Sequence, residues 1–223
     1  MFYTCADGIH KELAPIYKYC AKRIGEKAVV DFEKNPSSIR FLKNPIADYV
    51  HVTDIDILLL PHERTHRKYY SQYVVNGASY IRGATEAYFR KWEGKDSRIC
   101  GGQVGFFPEY YARTVEFRDY YLNPRHIENY REFDEVMLYR ILHQSGYPIP
   151  DSAYCFPNNE PWDWEYRDLH IGDFRTLKYL KWKPDKKKVR DLMEDETFKS
   201  LCQNLSPAWI ELIDKIKESS SDT

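Results

Sequence analysis

The chain has 223 residues, 43% of them hydrophobic and 16% aromatic, which excludes a disordered polypeptide and allows a sizeable core. Its 33 basic and 34 acidic residues leave a net charge of -1, which argues against non-specific capture of nucleic acid. With a mean hydropathy of -0.67 and no apolar run near the roughly 18 residues a spanning helix needs, no transmembrane segment is expected.

Residues 2–6 read as an opening strand, with Asp7-Gly8 as a turn. Residues 11–24 carry Leu13, Ile16, Tyr17, Cys20 and Ile24 at helical spacing; Pro15 suits the first turn and Gly25 stops the helix. A second strand is expected over 27–32 and a third over 49–60, apolar but interrupted by Thr53, Asp54 and Asp56 and closed by Pro61. Strand, helix, strand and strand in this order predict an α/β domain that opens with a Rossmann-like half. Farther along, 99–107 is a glycine-rich strand candidate, 110–122 and 132–144 read as helices, and 164–171 as a late strand. Helices over 187–193 and 207–217 finish the chain. No linker divides the sequence, so one domain is expected over 1–218, with a loose tail at 219–223.

The five cysteines (Cys5, Cys20, Cys100, Cys155 and Cys202) are scattered and form no C-x-x-C pair. They argue against a disulfide framework and read as buried apolar fillers. The first residues lack the basic and apolar regions of a signal peptide, so a cytoplasmic protein is expected.

The most informative stretch is Tyr-Val-His-Val-Thr-Asp-Ile-Asp-Ile-Leu-Leu-Leu, residues 49–60. A bare D-x-D carries little weight in a chain of this composition, but its apolar setting does. Burying carboxylates costs several kcal/mol unless strong donors or a metal compensate. Asp54 and Asp56 are two apart and so share a face of a strand. Near the C-terminal end of that strand, where open α/β sheets place ligands, one could take a ribose and the other a divalent cation. Hard oxygen ligands favour Mg2+ or Mn2+. The bland reading has both aspartates capping the strand end or pairing with basic residues.

This hydrophobic-D-x-D-hydrophobic strand resembles the signature of GT-A nucleotide-sugar glycosyltransferases, in particular the group that includes glycogenin and the lipopolysaccharide galactosyltransferases. Other segments follow in the order that family requires. Phe2-Tyr3-Thr4-Cys5-Ala6-Asp7 resembles the strand and loop that cup the nucleoside, and Cys100-Gly101-Gly102-Gln103-Val104-Gly105 the strand lining the sugar and acceptor side. Phe133-Asp134-Glu135 resembles the acidic helix start beside the transferred sugar. His170-Ile171-Gly172 is similar to the late H-x-x-G segment, one residue shorter.

The resemblance covers residues 1–176 and implies a GT-A fold, a mixed central sheet flanked by helices. It implies a metal-dependent glycosyltransferase that moves a sugar from a nucleotide diphosphate donor, a UDP-sugar by this resemblance, to a saccharide or glycoprotein-glycan acceptor. Mn2+ or Mg2+ would be held by Asp54, Asp56 and His170. Thr4, Cys5, Ala6, Asp7 and Asp54 would meet the nucleotide. Arg40, Lys43 and Arg175 are candidate phosphate cations, arginine being suited to bidentate contact. If the reaction inverts configuration, Asp134, Glu135 and Asp173 are the candidate bases. Gly102, Gln103, Trp162 and Trp164 would line the sugar and acceptor side, the tryptophans by stacking on pyranose faces.

Competing signals remain. His62-Glu63-Arg64-Thr65-His66 matches H-E-x-x-H, with Glu86 as a further ligand for a zinc hydrolase, but Pro61, Arg64 and Arg67-Lys68 make it read as a charged loop. A non-catalytic carbohydrate-binding module could use the same tryptophans without the paired aspartates. The basic run Lys181 to Arg190 reads as a solvated helix approach or as a peripheral contact with an anionic membrane.

Overall fold

The computed structural model describes residues 1–61, 74–75, 78–80, 90–92, 95–97, 103–127, 134–147, 168–175 and 185–221. The protein is α/β with a mixed central sheet flanked by helices, and it divides into two compact units. Among the described residues no helix is long and apolar enough to cross a membrane.

The first unit comprises Met1–Asp7, Asp31–Asp54 and Arg64–Trp162. Its strands are β1 (Phe2–Ala6), β3 (Val50–Thr53), β5 (Val74–Val75), β6 (Ala78–Tyr80) and β9 (Gln103–Phe106). The sheet runs β2-β1-β3-β9-β6-β5, with β2 (Ala28–Phe32) on its edge. β1 and β3 are parallel, with Phe2 opposite His51, whereas β3 and β9 are antiparallel, with Thr53 opposite Gln103. Every residue of β1 and β3 is buried, the pattern of strands covered on both faces. β7 (Arg90–Trp92) and β8 (Lys95–Ser97) form a separate antiparallel pair.

One cluster of buried side chains unites this unit. Tyr3, Val50, Val52 and Phe106 from the sheet pack with Tyr110, Tyr121, Met137, Leu138 and Ile141 from the helices. Those helices are α3 (Pro108–Arg113), α4 (Val115–Leu122) and α6 (Asp134–Gln144). The helix expected over 110–122 is thus two, divided at Thr114, whose hydroxyl bonds the Tyr110 carbonyl at 2.6 Å. A short α2 (Pro36–Ile39) precedes β3, and α5 (Pro124–Ile127) follows α4. In β9 only glycine fits at 105, because a Cβ there would stand 1.8 Å from the Tyr49 hydroxyl.

The second unit comprises Gly8–Val30, Ile55–Glu63 and Asp163–Thr223. A 3-10 turn (Gly8–Leu13) leads into α1 (Ala14–Arg23), where Pro15 sits in the first turn as its missing N–H requires. β4 (Ile57–Leu58) and β10 (Leu169–His170) pair antiparallel, and a 3-10 turn (Ile171–Arg175) follows β10. The unit ends in α7 (Lys186–Met193), α8 (Glu196–Cys202) and α9 (Pro207–Ser221). Asp195 caps α8 by accepting from the Phe198 N–H at 2.9 Å and also accepts from the Tyr19 hydroxyl at 2.6 Å, tying α1 to α8. The loose end expected at 219–223 is helical through Ser221, and Ser220 is buried.

The strand expected over 49–60 breaks at the aspartates. β3 ends at Thr53, a turn occupies Ile55-Asp56, and β4 begins at Ile57. Desolvated carboxylates are poor strand interiors, and here the backbone leaves the ladder where they occur.

Candidate metal centre

The turn after β3 places Asp54 at the end of a buried strand and Asp56 just before β4. The β4–β10 ladder sets Ile57 opposite His170. The Asp56 carbonyl accepts from the Ile171 N–H at 2.9 Å, and the Leu60 N–H donates to the buried Asp168 carboxylate at 2.8 Å. These bonds fix the backbone on which His170 Nε2 comes 3.1 Å from Asp56 Oδ1. One ligand atom each from Asp54, Asp56 and His170 lies within 4.8 Å of the others, so this cluster could hold a metal ion.

The electrostatics follow from the neighbours. Asp56 is only 8% exposed, and burial alone would raise its pKa. The charge and hydrogen bond of His170, with the charges of His10 and Arg175, outweigh burial and hold the carboxyl below its ordinary value. Gly172 belongs to the same arrangement: a Cβ there would stand 2.9 Å from Asp56 Oδ2 and 3.1 Å from His170 Nε2.

Asp54 has a different partner. The buried Arg40 guanidinium bonds the Asp54 carboxylate through Nη1 and reaches Asp134 Oδ2 at 3.1 Å through Nη2. Burial alone would lower the arginine's pKa, and the two aspartates reverse that and hold it raised. Arg40 therefore pairs with two carboxylates, and Asp134 is an ion-pair partner at the start of α6. Two backbone contacts steady the segment that carries Arg40: the Tyr110 hydroxyl donates to the Phe41 carbonyl at 3.3 Å and Arg118 to the Leu42 carbonyl at 2.8 Å.

Around the end of β1, Thr4, Cys5 and Ala6 are buried and Asp7 is half-buried. Thr4 Oγ1 donates to the Thr53 carbonyl at 2.7 Å, which joins β1 to β3 beside Asp54. Cys5 lies 3.3 Å from the Tyr3 hydroxyl, and burial raises its thiol pKa to about 11. Lys43 pairs with Glu33 at 2.7 Å. Arg175 is exposed, with its guanidinium carbon 4.7 Å from the Trp209 ring centroid. Of the basic run, Lys187 pairs with Asp191 at 2.8 Å and Lys188 with Asp185 at 3.5 Å.

Gly102, Trp162 and Trp164 lie outside the described residues, as do His62, Glu63, His66, Glu86, Cys100 and Cys155. Gln103 belongs to β9, Glu135 to α6 and Asp173 to the turn after β10, but their side chains are outside the description too. Nothing in the sequence singled out His10. The one signal available was its place in the loop after the first strand, the end of an open α/β sheet where ligands bind.

The donor spacing is compatible with a bound metal ion. Two ligands at right angles around an ion with bonds of about 2.1 Å stand about 3.0 Å apart, close to the His170–Asp56 separation. Asp54 and Asp134 share one guanidinium while Asp56 faces an imidazole, so carboxylates outnumber permanent cations. Set against family models, curated proteins and solved structures, the chain matches none.

Proposed function

We propose that this protein is a metal-dependent glycosyltransferase of GT-A type, which transfers a sugar from a nucleotide diphosphate donor, by resemblance a UDP-sugar, to a saccharide or glycan acceptor. The observation that carries the reading is the gathering of Asp54, Asp56 and His170, from a D-x-D turn and a distant late strand, into one ligand cluster. A structural role for D-x-D alone would not require a histidine more than a hundred residues away to meet it.

Asp54, Asp56 and His170 would hold Mn2+ or Mg2+, and the bound cation would supply Lewis-acid stabilisation of the departing diphosphate. The other roles fall to the chain itself. Arg40 fixes the Asp54 carboxylate and pairs with Asp134 next to it. The ladder between β4 and β10 sets His170 opposite Ile57, the residue that follows Asp56. Glu135 and Asp173 remain as candidate bases for an acceptor hydroxyl, while Asp134 is committed to Arg40. A cytoplasmic location and a peripheral membrane contact through Lys181 to Arg190 accompany this reading.

The test is a transfer and donor-hydrolysis assay over a panel of nucleotide sugars with Mn2+. Asp56→Asn keeps the volume and removes the charged ligand; it should lose at least about a hundredfold in turnover while retaining its circular dichroism spectrum. Turnover near that of the wild type would remove the proposal.

A further inference from the structure

β2 closes one side of the central sheet, and among the described residues no strand lies beyond it. Exposed edges are usually blunted by proline, by bulges or by charged side chains. β2 reads Ala-Val-Val-Asp-Phe, without proline, and its one charge accepts from the Tyr3 hydroxyl at 2.8 Å. Val29 and Phe32, on opposite faces of the strand, are 39% and 56% exposed.

The residue after the strand fixes which backbone groups point outward. The Glu33 N–H donates to the Ala6 carbonyl at 3.2 Å, so position 33 turns its backbone towards β1. Backbone groups alternate sides along a strand, so Ala28 and Val30 turn theirs towards the open side. An antiparallel partner must set outward-facing residues opposite each other. If the partner is a second copy of β2, only registers that match even positions with even positions qualify.

Of these, the register centred on Val30 matches the whole strand with itself. It sets Ala28 opposite Phe32, a small side chain beside a large one. Just outside the strand it sets Lys27 opposite Glu33, and one step farther out Glu26 opposite Lys34. Symmetry makes each of these oppositely charged pairs occur twice. Glu33 already pairs with Lys43 at 2.7 Å, so Lys27 of the other copy would join an existing ion pair. A centre at Asp31 would instead face two aspartates, and a centre at Val29 would leave Glu33 opposite Gly25. A parallel, in-register arrangement would set like charges side by side. The charges flanking β2 are therefore complementary to their own copy in one register.

We propose that β2 pairs antiparallel with β2 of a second copy about a twofold axis at Val30, joining two central sheets into one. This interface is independent of the metal centre and of the reaction proposed for it.

The test is sedimentation velocity over about 1–100 μM on the wild type and four variants, with circular dichroism melts to establish folding. The variants are Lys27→Glu, Glu33→Lys, the double variant Lys27→Glu/Glu33→Lys, and Val30→Pro. The wild type should dimerise as concentration rises. Each single reversal sets like charges opposite each other twice and should weaken the dimer at least about tenfold. An equimolar mixture of the two single variants should dimerise again, because one is acidic at both positions and the other basic at both. The double variant exchanges the charges and should also recover association. Val30→Pro deletes an outward N–H, which an edge strand tolerates, and should stay monomeric; the charge variants decide the matter if it does not fold. A monomeric wild type would leave this edge to a segment of another protein and overturns the proposal. Assembly beyond a dimer, a dimer indifferent to both reversals, or a mixture no more associated than its components also overturns it.

Discussion

Gly172→Ala tests whether the Asp56–His170 pair is a built site or an incidental hydrogen bond. The added methyl would lie 2.9 Å from Asp56 Oδ2, 3.0 Å from His170 Cε1 and 3.1 Å from His170 Nε2. Neither neighbour is the free end of a flexible side chain, because Asp56 is nearly buried and His170 sits in the β10 ladder. Relief of the overlap must move at least one ligand by a few tenths of an ångström. Overpacking of this size costs about 1–3 kcal/mol, a fall of roughly 2–10 °C in Tm for a protein of this length. Displacing a ligand's support should cost about 10–100-fold in metal affinity. Gly25→Ala is the control: at φ 77° alanine is strained by roughly 1–2 kcal/mol, yet nothing lies within 4 Å of the new Cβ. Thermal melts with and without Mn2+, together with calorimetric Mn2+ titration, separate the two effects. Both variants should melt earlier, and only Gly172→Ala should lose metal affinity. Equal Mn2+ affinity in Gly172→Ala and wild type would refute the reasoning.

Arg40→Met keeps the length of the side chain and leaves Asp54 and Asp134 facing each other without their shared cation. Breaking such a buried pair should cost about 3–5 kcal/mol, read as a lower urea midpoint, and added Mn2+ should recover part of the loss by neutralising Asp54. A midpoint within error of wild type would contradict the assigned role. The cysteines give a pH prediction. Burial raises Cys5 from 9.0 to about 11 and Cys20 to about 12, so folding favours their neutral thiols. That contribution to stability is complete below pH 9 and is lost as the pH rises through about 11 and 12. At pH 8 the higher value alone leaves Cys5 about a hundredfold less thiolate than an ordinary cysteine, before access is considered. Peptide mapping after iodoacetamide should show Cys5 and Cys20 unlabelled in native protein and labelled in urea. Equal labelling in both states would refute their burial.

The elements legible in the sequence are those whose pattern is local. β1, α1 and β2 follow from an apolar run, a helical stripe with Pro15 at its start, and Gly25 at its end. The break in the 49–60 strand was written in Asp54 and Asp56, which cannot continue a buried ladder without partners. α8 was missed because it is short, although Asp195 three residues before Phe198 is an N-cap signal in plain view. The division of 110–122 at Thr114 depends on a side-chain-to-carbonyl bond that no periodicity records. At the site, Asp54, Asp56 and His170 could be named from residue type and resemblance, and the structure brings them together. The partners of Arg40 could not, because Asp54 is 14 and Asp134 94 residues away in sequence. His10 escaped for the same reason: its environment is made by Trp209, close to the other end of the chain.

The most direct measurement is calorimetric titration of UDP into metal-stripped protein, with and without Mn2+, for the wild type and Asp56→Asn. Binding by the wild type that Mn2+ strengthens at least about tenfold, with that gain lost in Asp56→Asn, is the predicted result. UDP binding that is indifferent to Mn2+ and to Asp56, or no heat under any condition, would contradict the claim that this cluster is a metal centre for a nucleotide donor.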